Sequence, residues 1–175
     1  NHELLIGEMA GWLFKEGHSA LSIDKKLNVR SWRKIKPTEL SSRFADKNGK
    51  VEGWFRLKVK LDTAFKHQTL AFCKGNWAAS DLYLDGKLIQ SFGNTGANGK
   101  PFEEYKQFGE IPKPINLELG KTNTIVIHFV DYISPFPQRE LKSEREDLIH
   151  QFKLTDQQYT LFLSEGIERS RVNYT

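Results

Sequence analysis

Cysteine is almost absent. The single residue, Cys73, excludes an internal disulfide framework and any cysteine-rich zinc module in this chain of 175 residues. Long apolar runs are missing too. None approaches the roughly 20 residues that span a bilayer, so the chain as given is expected to be soluble. Thirteen glycines and six prolines exclude a collagen-like repeat. The first residues, Asn-His-Glu-Leu, lack the basic and apolar regions of a signal peptide. Charge of one sign is not in large excess: 26 basic residues face 22 acidic ones, a net charge of +4. Low-complexity disorder is excluded by 38% hydrophobic and 12% aromatic residues. A chain of this size buries about 70% of its surface on folding, enough for a core without staples.

What is present is period two. "WFRLKVKL" sets Phe55, Leu57, Val59 and Leu61 against Arg56, Lys58 and Lys60, the pattern of a half-buried strand. "QTLAFCK" continues the alternation with Leu70 and Phe72. "DLYLDGKLIQSF" predicts two strands joined at Asp85-Gly86, a type I′ hairpin signal. "NTIVIHFVDY" is apolar on both faces and is expected to be a central strand, with Ile125, Ile127 and Phe129 in the core. "GWLFKE" and "YTLFLSE" predict an early and a late strand. Ser143 with Glu146 resembles a capping box, and Leu141, Leu148, Ile149 and Phe152 fall on one helical face, so one short helix is expected there. Regular β-α-β alternation is lacking, and the expectation is all-β: a jelly-roll sandwich with one short C-terminal helix. One domain spans 1–175, with its core in 10–132 and a helix plus final strand in 133–175.

Few constellations carry chemistry. The basic run "KKLNVRSWRKIK" holds Lys25, Lys26, Arg30, Arg33, Lys34 and Lys36 around Trp32. Without a nucleic-acid motif it reads as a solvated face anchored by Trp32, and nucleic acid is not an expected partner. His2, His18, His67, His128 and His150 are scattered without ligand spacing, so no metal or other cofactor is expected, and His128 reads as a core or subsurface histidine. "DKNGK" lacks the acids of a calcium loop and reads as a tight turn. No Gly-x-Ser-x-Gly elbow or phosphate-cradling glycine loop occurs, and Cys73 reads as a small buried hydrophobe. Glu103 and Glu104 are adjacent, so in an extended segment they point to opposite faces and cannot flank one glycosidic bond.

The residues that invite a binding role sit in loops. Trp77 lies in the turn-like "KGNWAASD", and residues 94–114 form a long Gly/Pro/Asn-rich stretch. Trp77, Phe102 and Tyr105 offer flat faces for stacking, and Asn76 and Asn94 offer paired donors and acceptors for a hydroxyl-rich ligand. Arg56, beside Trp54, is a candidate anchor for an anionic ligand, with a structural ion pair as the alternative. The bland reading of the same loop is that its aromatics fold down and seal the core.

In order along the chain, Trp12 with Phe14, Trp54-Phe55-Arg56, Ala79 through Tyr83 to Asp85-Gly86, and Asn123 through Ile127 resemble the galactose-binding-like jelly roll. The resemblance is nearest to the extracytoplasmic sensor domains of bacterial membrane signalling receptors, seven-helix receptors and histidine kinases among them. It covers roughly residues 10 to 132 and departs at Asp85, where Asn is usual. It implies a non-enzymatic ligand-sensing domain on the periplasmic or extracellular face, tethered to the inner membrane. The partners it implies are a small-molecule or carbohydrate ligand and a membrane-spanning region and output domain of the same polypeptide; a homodimer is left open. The same signature marks the alternative, a non-catalytic carbohydrate-binding sandwich of a larger glycoside hydrolase. Its motifs are turns and strand starts and transfer no catalytic residue.

Overall fold

The computed structural model describes residues 3–24, 26–63, 66, 69–74, 77–105, 112–133 and 152–156. They form nine strands: β1 (Glu3–Leu5), β2 (Leu13–Glu16), β3 (Lys50–Lys60), β4 (Leu70–Lys74), β5 (Ala79–Leu84), β6 (Lys87–Phe92), β7 (Lys113–Ile115), β8 (Thr122–Tyr132) and β9 (Phe152–Asp156). One sheet has the order β1-β9-β4-β7 and the other β2-β3-β8-β5-β6. Every strand pairing is antiparallel. The chain crosses repeatedly from one sheet to the other, so the protein is an all-β sandwich. Among the described residues no helix is long and apolar enough to cross a membrane.

The alternation in the sequence decides which faces meet. Phe55, Leu57, Val59 and Leu61 all enter the core between the sheets, together with Ile125, Ile127 and Phe129 from β8. The facing sheet contributes Leu70, Phe72, Ile115, Phe152 and Leu154. Phe72 and Phe92 meet across the interior with ring centroids 5.9 Å apart. Strand β8 lies between β3 and β5, and its residues from Asn123 to Asp131 are all buried. Both of its faces are covered, as an apolar run without alternation requires.

The hairpin falls at the expected place. Asp85 and Gly86 have φ of 48° and 85°, the two positive angles of a type I′ turn. Asp85 also accepts from the Thr124 amide at 2.9 Å, tying the turn to β8. Asn123 accepts from the Glu118 amide at 3.0 Å and donates to the carbonyls of Glu118 and Lys121, closing the loop before β8. Trp12 donates to the Ile6 carbonyl at 2.7 Å and packs edge-on against Phe55. The motifs behind the family resemblance therefore serve structure. "DKNGK" is a turn in which Asp46 accepts from the amides of Asn48 and Lys50.

Three features differ from the sequence reading. Phe152, assigned to a helical face, opens β9, where it is 1% exposed. Strand β9 lies between β1 and β4, so the sandwich core extends beyond 10–132 at both ends. The periodicity there was that of a short run, too brief to separate strand from helix. Arg56, placed on a basic outer face, is 2% exposed, because the segment after β2 folds back over that face. Trp32, Trp54 and Val126 form a second buried cluster there, flanked by Leu13, Ile23, Leu27, Val29 and Tyr83. Trp32 is thus the anchor of its basic run. The residues of the expected helix before Phe152, and the late strand "YTLFLSE", lie outside the described residues.

Candidate functional site

Three of the six proposed binding residues, Trp77, Asn94 and Phe102, collect at one end of the sandwich. Strands β5 and β6 are paired at Ser80 and Phe92, so Trp77 enters and Asn94 leaves the sheet at the same end. Asn94 and Glu103 form a bridge with N–H to O distances of 2.8 and 2.9 Å, which folds the intervening turn into a closed loop. The Asn94 side chain accepts from the Gly96 amide at 2.9 Å inside that loop. The Tyr105 amide donates to the Trp77 carbonyl at 2.9 Å and joins the two segments. Phe102 packs edge-on against Tyr132 at 4.8 Å. Trp77, Asn94 and Phe102 are half-buried, each keeping part of its surface open.

Two of the six named residues stand apart from this group, and a third cannot be placed. Tyr105 is 8% exposed and belongs to the core, edge-on to Phe92 at 5.1 Å, so it forms the floor and has no open stacking face. Arg56 lies mid-strand on the outer face of the five-stranded sheet. It donates to the Asp24 carbonyl at 2.7 Å, and the nearby Asp24 charge partly offsets the cost of its burial. It anchors the covering segment and does not reach the Trp77 end. Asn76 lies outside the described residues.

Beneath the floor is an ionisable group that period two did not reveal. Lys74, at the end of β4, is fully buried and donates to the Ala78 carbonyl at 2.5 Å. Its ammonium lies 5.0 Å from the Tyr105 ring centroid and 5.9 Å from that of Phe92. Burial drives it well below the usual 10.5, and the opposing charge of Asp131 offsets part of that shift.

A second polar cluster occupies the outer face of the five-stranded sheet. Registers Trp54↔His128 and Asp81↔His128 put these side chains in one row across β3, β8 and β5, with Glu52 one step along. Glu52 Oε1 lies 2.6 Å from His18 Nδ1 and 2.9 Å from His128 Nε2, while Lys50 Nζ lies 2.5 Å from Oε2. Burial pushes the Glu52 carboxyl up, but the bonds from Lys50, His18 and His128 outweigh it and hold it below 4.5. Asp81 accepts from Ser91 and Thr95 at 2.7 and 2.9 Å. Against the upward push of burial, those bonds and the nearby His128 hold it below 3.8. The His128 ring is fully buried and stacks on Trp54 at 4.3 Å. His18 and His128 are therefore not scattered. The sequence shows only one hint, a polar residue on the second face of an otherwise apolar strand. Apart from the Lys50–Glu52 pair within β3, the contacts that unite the cluster are between separate segments.

A cleft of about 670 Å³ opens at the end of the sandwich opposite Trp77, with Leu61, Leu70, Ile115 and Leu117 among its lining residues and Lys66, Glu118 and Lys121 also bordering it.

No protein-family model and no curated protein matches the chain. Solved structures do. A Bacteroides uniformis beta-glucuronidase 2, covalently bound to cyclophellitol-6-carboxylate aziridine, superposes with a TM-score of 0.60 at 16% identity, over 88% of this chain and 18% of that one. A glycosyl hydrolase family 2 member from Bacteroides cellulosilyticus DSM 14838 gives 0.54 at 15% identity, over 89% and 20%. Another member from Bacteroides cellulosilyticus gives 0.52 at 19% identity, over 73% and 17%. The chain spans a fifth or less of the length of these proteins. At such identities the likeness is one of fold: the sandwich is of a kind built into much larger glycoside hydrolases.

Proposed function

We propose that this chain is a non-catalytic, carbohydrate-recognising β-sandwich domain of a larger glycoside hydrolase. The observation that carries the proposal is the asymmetry of coverage: 88% of this chain corresponds to 18% of a beta-glucuronidase chain. A unit of that share is an accessory part, and the reacting groups belong to the remainder of the polypeptide. Recognition is assigned to the Trp77 end. There the half-buried Trp77 and Phe102 supply flat apolar surface, and Asn94 lies on a loop closed by its bridge to Glu103. Rigid strands position those loops, which lowers the entropy lost on binding.

The sensor role implied by the sequence resemblance has less support. The three solved structures are glycoside hydrolases, and the resembling motifs are strand starts, turns and a loop clamp that either protein needs. The coding sequence downstream of Thr175 separates the two. A β/α-barrel there supports the hydrolase, whereas apolar segments of roughly 20 residues support the receptor. The chain alone is then assayed on p-nitrophenyl β-D-glucuronide and on an array of neutral and uronate-bearing glycans. Retention on the array without release of p-nitrophenol is expected. Turnover by the isolated chain, or absence of any retained glycan, overturns the proposal.

A further inference from the structure

We propose that His18, Glu52 and His128 form a site for one divalent transition-metal ion of the zinc type. Two imidazoles and a carboxylate are a donor set that zinc accepts, and a solvent molecule completes the tetrahedron. The three ligand atoms lie within 4.8 Å of one another. Bonds of about 2.0–2.2 Å to a tetrahedral ion put ligand atoms about 3.4 Å apart. The His18 and His128 nitrogens, now 2.6 and 2.9 Å from Glu52 Oε1 and up to 4.8 Å from one another, need to withdraw from Oε1 by less than about 1 Å and to close on each other by up to about 1.4 Å to hold it. His18 is free to do so, since its side chain is 64% exposed.

The strongest pointer is His128, whose ring is wedged between two carboxylates. Nε2 is 2.9 Å from Glu52, and Nδ1 is 3.7 Å from Asp81, buried and without a hydrogen-bond partner. A neutral imidazole carries one N–H. Placed on Nε2, it leaves the Nδ1 lone pair facing Asp81; placed on Nδ1, it leaves the Nε2 lone pair against Glu52. Two species resolve both contacts: an imidazolium donating from both nitrogens, which would bind no metal in a titration, and a metal ion on Nε2, which is the one proposed. The lone pair goes to the metal, and Nδ1–H points to Asp81, which Ser91 and Thr95 already orient. That is the carboxylate–histidine–metal arrangement found around zinc. Stacking on Trp54 fixes the ring plane. Lys50 occupies Oε2 of Glu52 and leaves Oε1 for the ion, although its charge opposes binding. The ion would fasten the segment after β2 to the sheet it covers. Gly17 directs that segment, with φ of 112° and its amide on the Glu52 carbonyl at 3.1 Å.

The test uses the untagged chain, freed of metal by chelator. Calorimetric titration with Zn²⁺ should show one equivalent bound, thermal unfolding should shift upward with Zn²⁺, and Co²⁺ should give the intense visible absorption of tetrahedral coordination. His18→Ala and Glu52→Gln should each abolish the Co²⁺ signal while the metal-free proteins still unfold cooperatively. Asp81→Asn should weaken Zn²⁺ about 10–100-fold. If no equivalent binds, or if either ligand variant binds Zn²⁺ as tightly as the parent, the site is refuted. Retention in both variants would place the ion on His2, His67 or His150 instead, which also refutes it.

Discussion

Replacing Gly93 by alanine probes the frame of the Trp77 end. Gly93 has φ of 67°, a left-handed conformation that costs a residue with a Cβ about 1–2 kcal/mol. The added Cβ would also run into the Glu103 carbonyl oxygen, and would lie 3.0 Å from both the Glu104 carbonyl carbon and the Tyr105 nitrogen. Those atoms cannot retreat cheaply. Glu103 is bridged to Asn94, and the Tyr105 amide is bonded to Trp77 while its ring is packed in the core. Overpacking of this kind adds about 1–3 kcal/mol. Gly99, in the same loop, is the control: its φ is 77°, but nothing lies within 4 Å of an added Cβ. Gly99→Ala should therefore cost the conformational part alone, about 1–2 kcal/mol, and Gly93→Ala about 2–5 kcal/mol. The difference of about 1–3 kcal/mol corresponds to about 2–12 °C in Tm for a domain of this size. Calorimetric melting of both variants reads it directly. Equal melting temperatures would show that the 94–103 loop does not sit against Gly93.

Ile127→Ala, at a fully covered position of β8, should cost about 2–5 kcal/mol in chemical denaturation, and β8 amides should be among the slowest to exchange; exchange within seconds would contradict the central placement. Asn123→Ala removes three hydrogen bonds from a buried loop clamp and should cost about 1–3 kcal/mol, whereas an unchanged midpoint would deny the clamp. Lys74 titrates lower in the folded chain than in the unfolded one, so between the two values the unfolded chain binds more protons. Its contribution to stability therefore grows as pH rises from the folded value towards 10.5 and is lost as pH falls through the folded value. In Lys74→Met that rise should vanish; an equal rise in the variant would place the titration elsewhere.

Local signals in the sequence were enough for β3, β8 and the Asp85-Gly86 hairpin. In each, alternation or turn chemistry is set by neighbours along the chain. The same logic failed where distant segments decide burial. Arg56 and Trp54 occupy the outward register of β3, and nothing nearby announces that residues beyond β2 will cover them. Phe152 looked helical because a five-residue strand shows too little periodicity to compete with a capping pattern just before it. At the candidate site, Trp77, Asn94 and Phe102 were legible as loop residues of suitable chemistry, and the antiparallel pairing of β5 and β6 explains why they share one end. Tyr105 follows the alternative reading of its loop, an aromatic folded down to seal the core; the bridge between Asn94 and Glu103 draws its segment inward. The pairing of His18 with His128 through Glu52 depends on three separate segments, and no spacing rule along one chain contains it.

Recognition at the Trp77 end is tested most directly by calorimetric titration of the parent chain and of Trp77→Ala with the oligosaccharide best retained on the glycan array. The parent should bind saturably with one site. The variant loses the packing of a half-buried ring and is therefore titrated well below its own melting temperature, where it should bind at least about tenfold more weakly, as loss of an aromatic anchor demands. Equal affinity in the folded variant, or no binding of any arrayed glycan by the parent, would contradict the account.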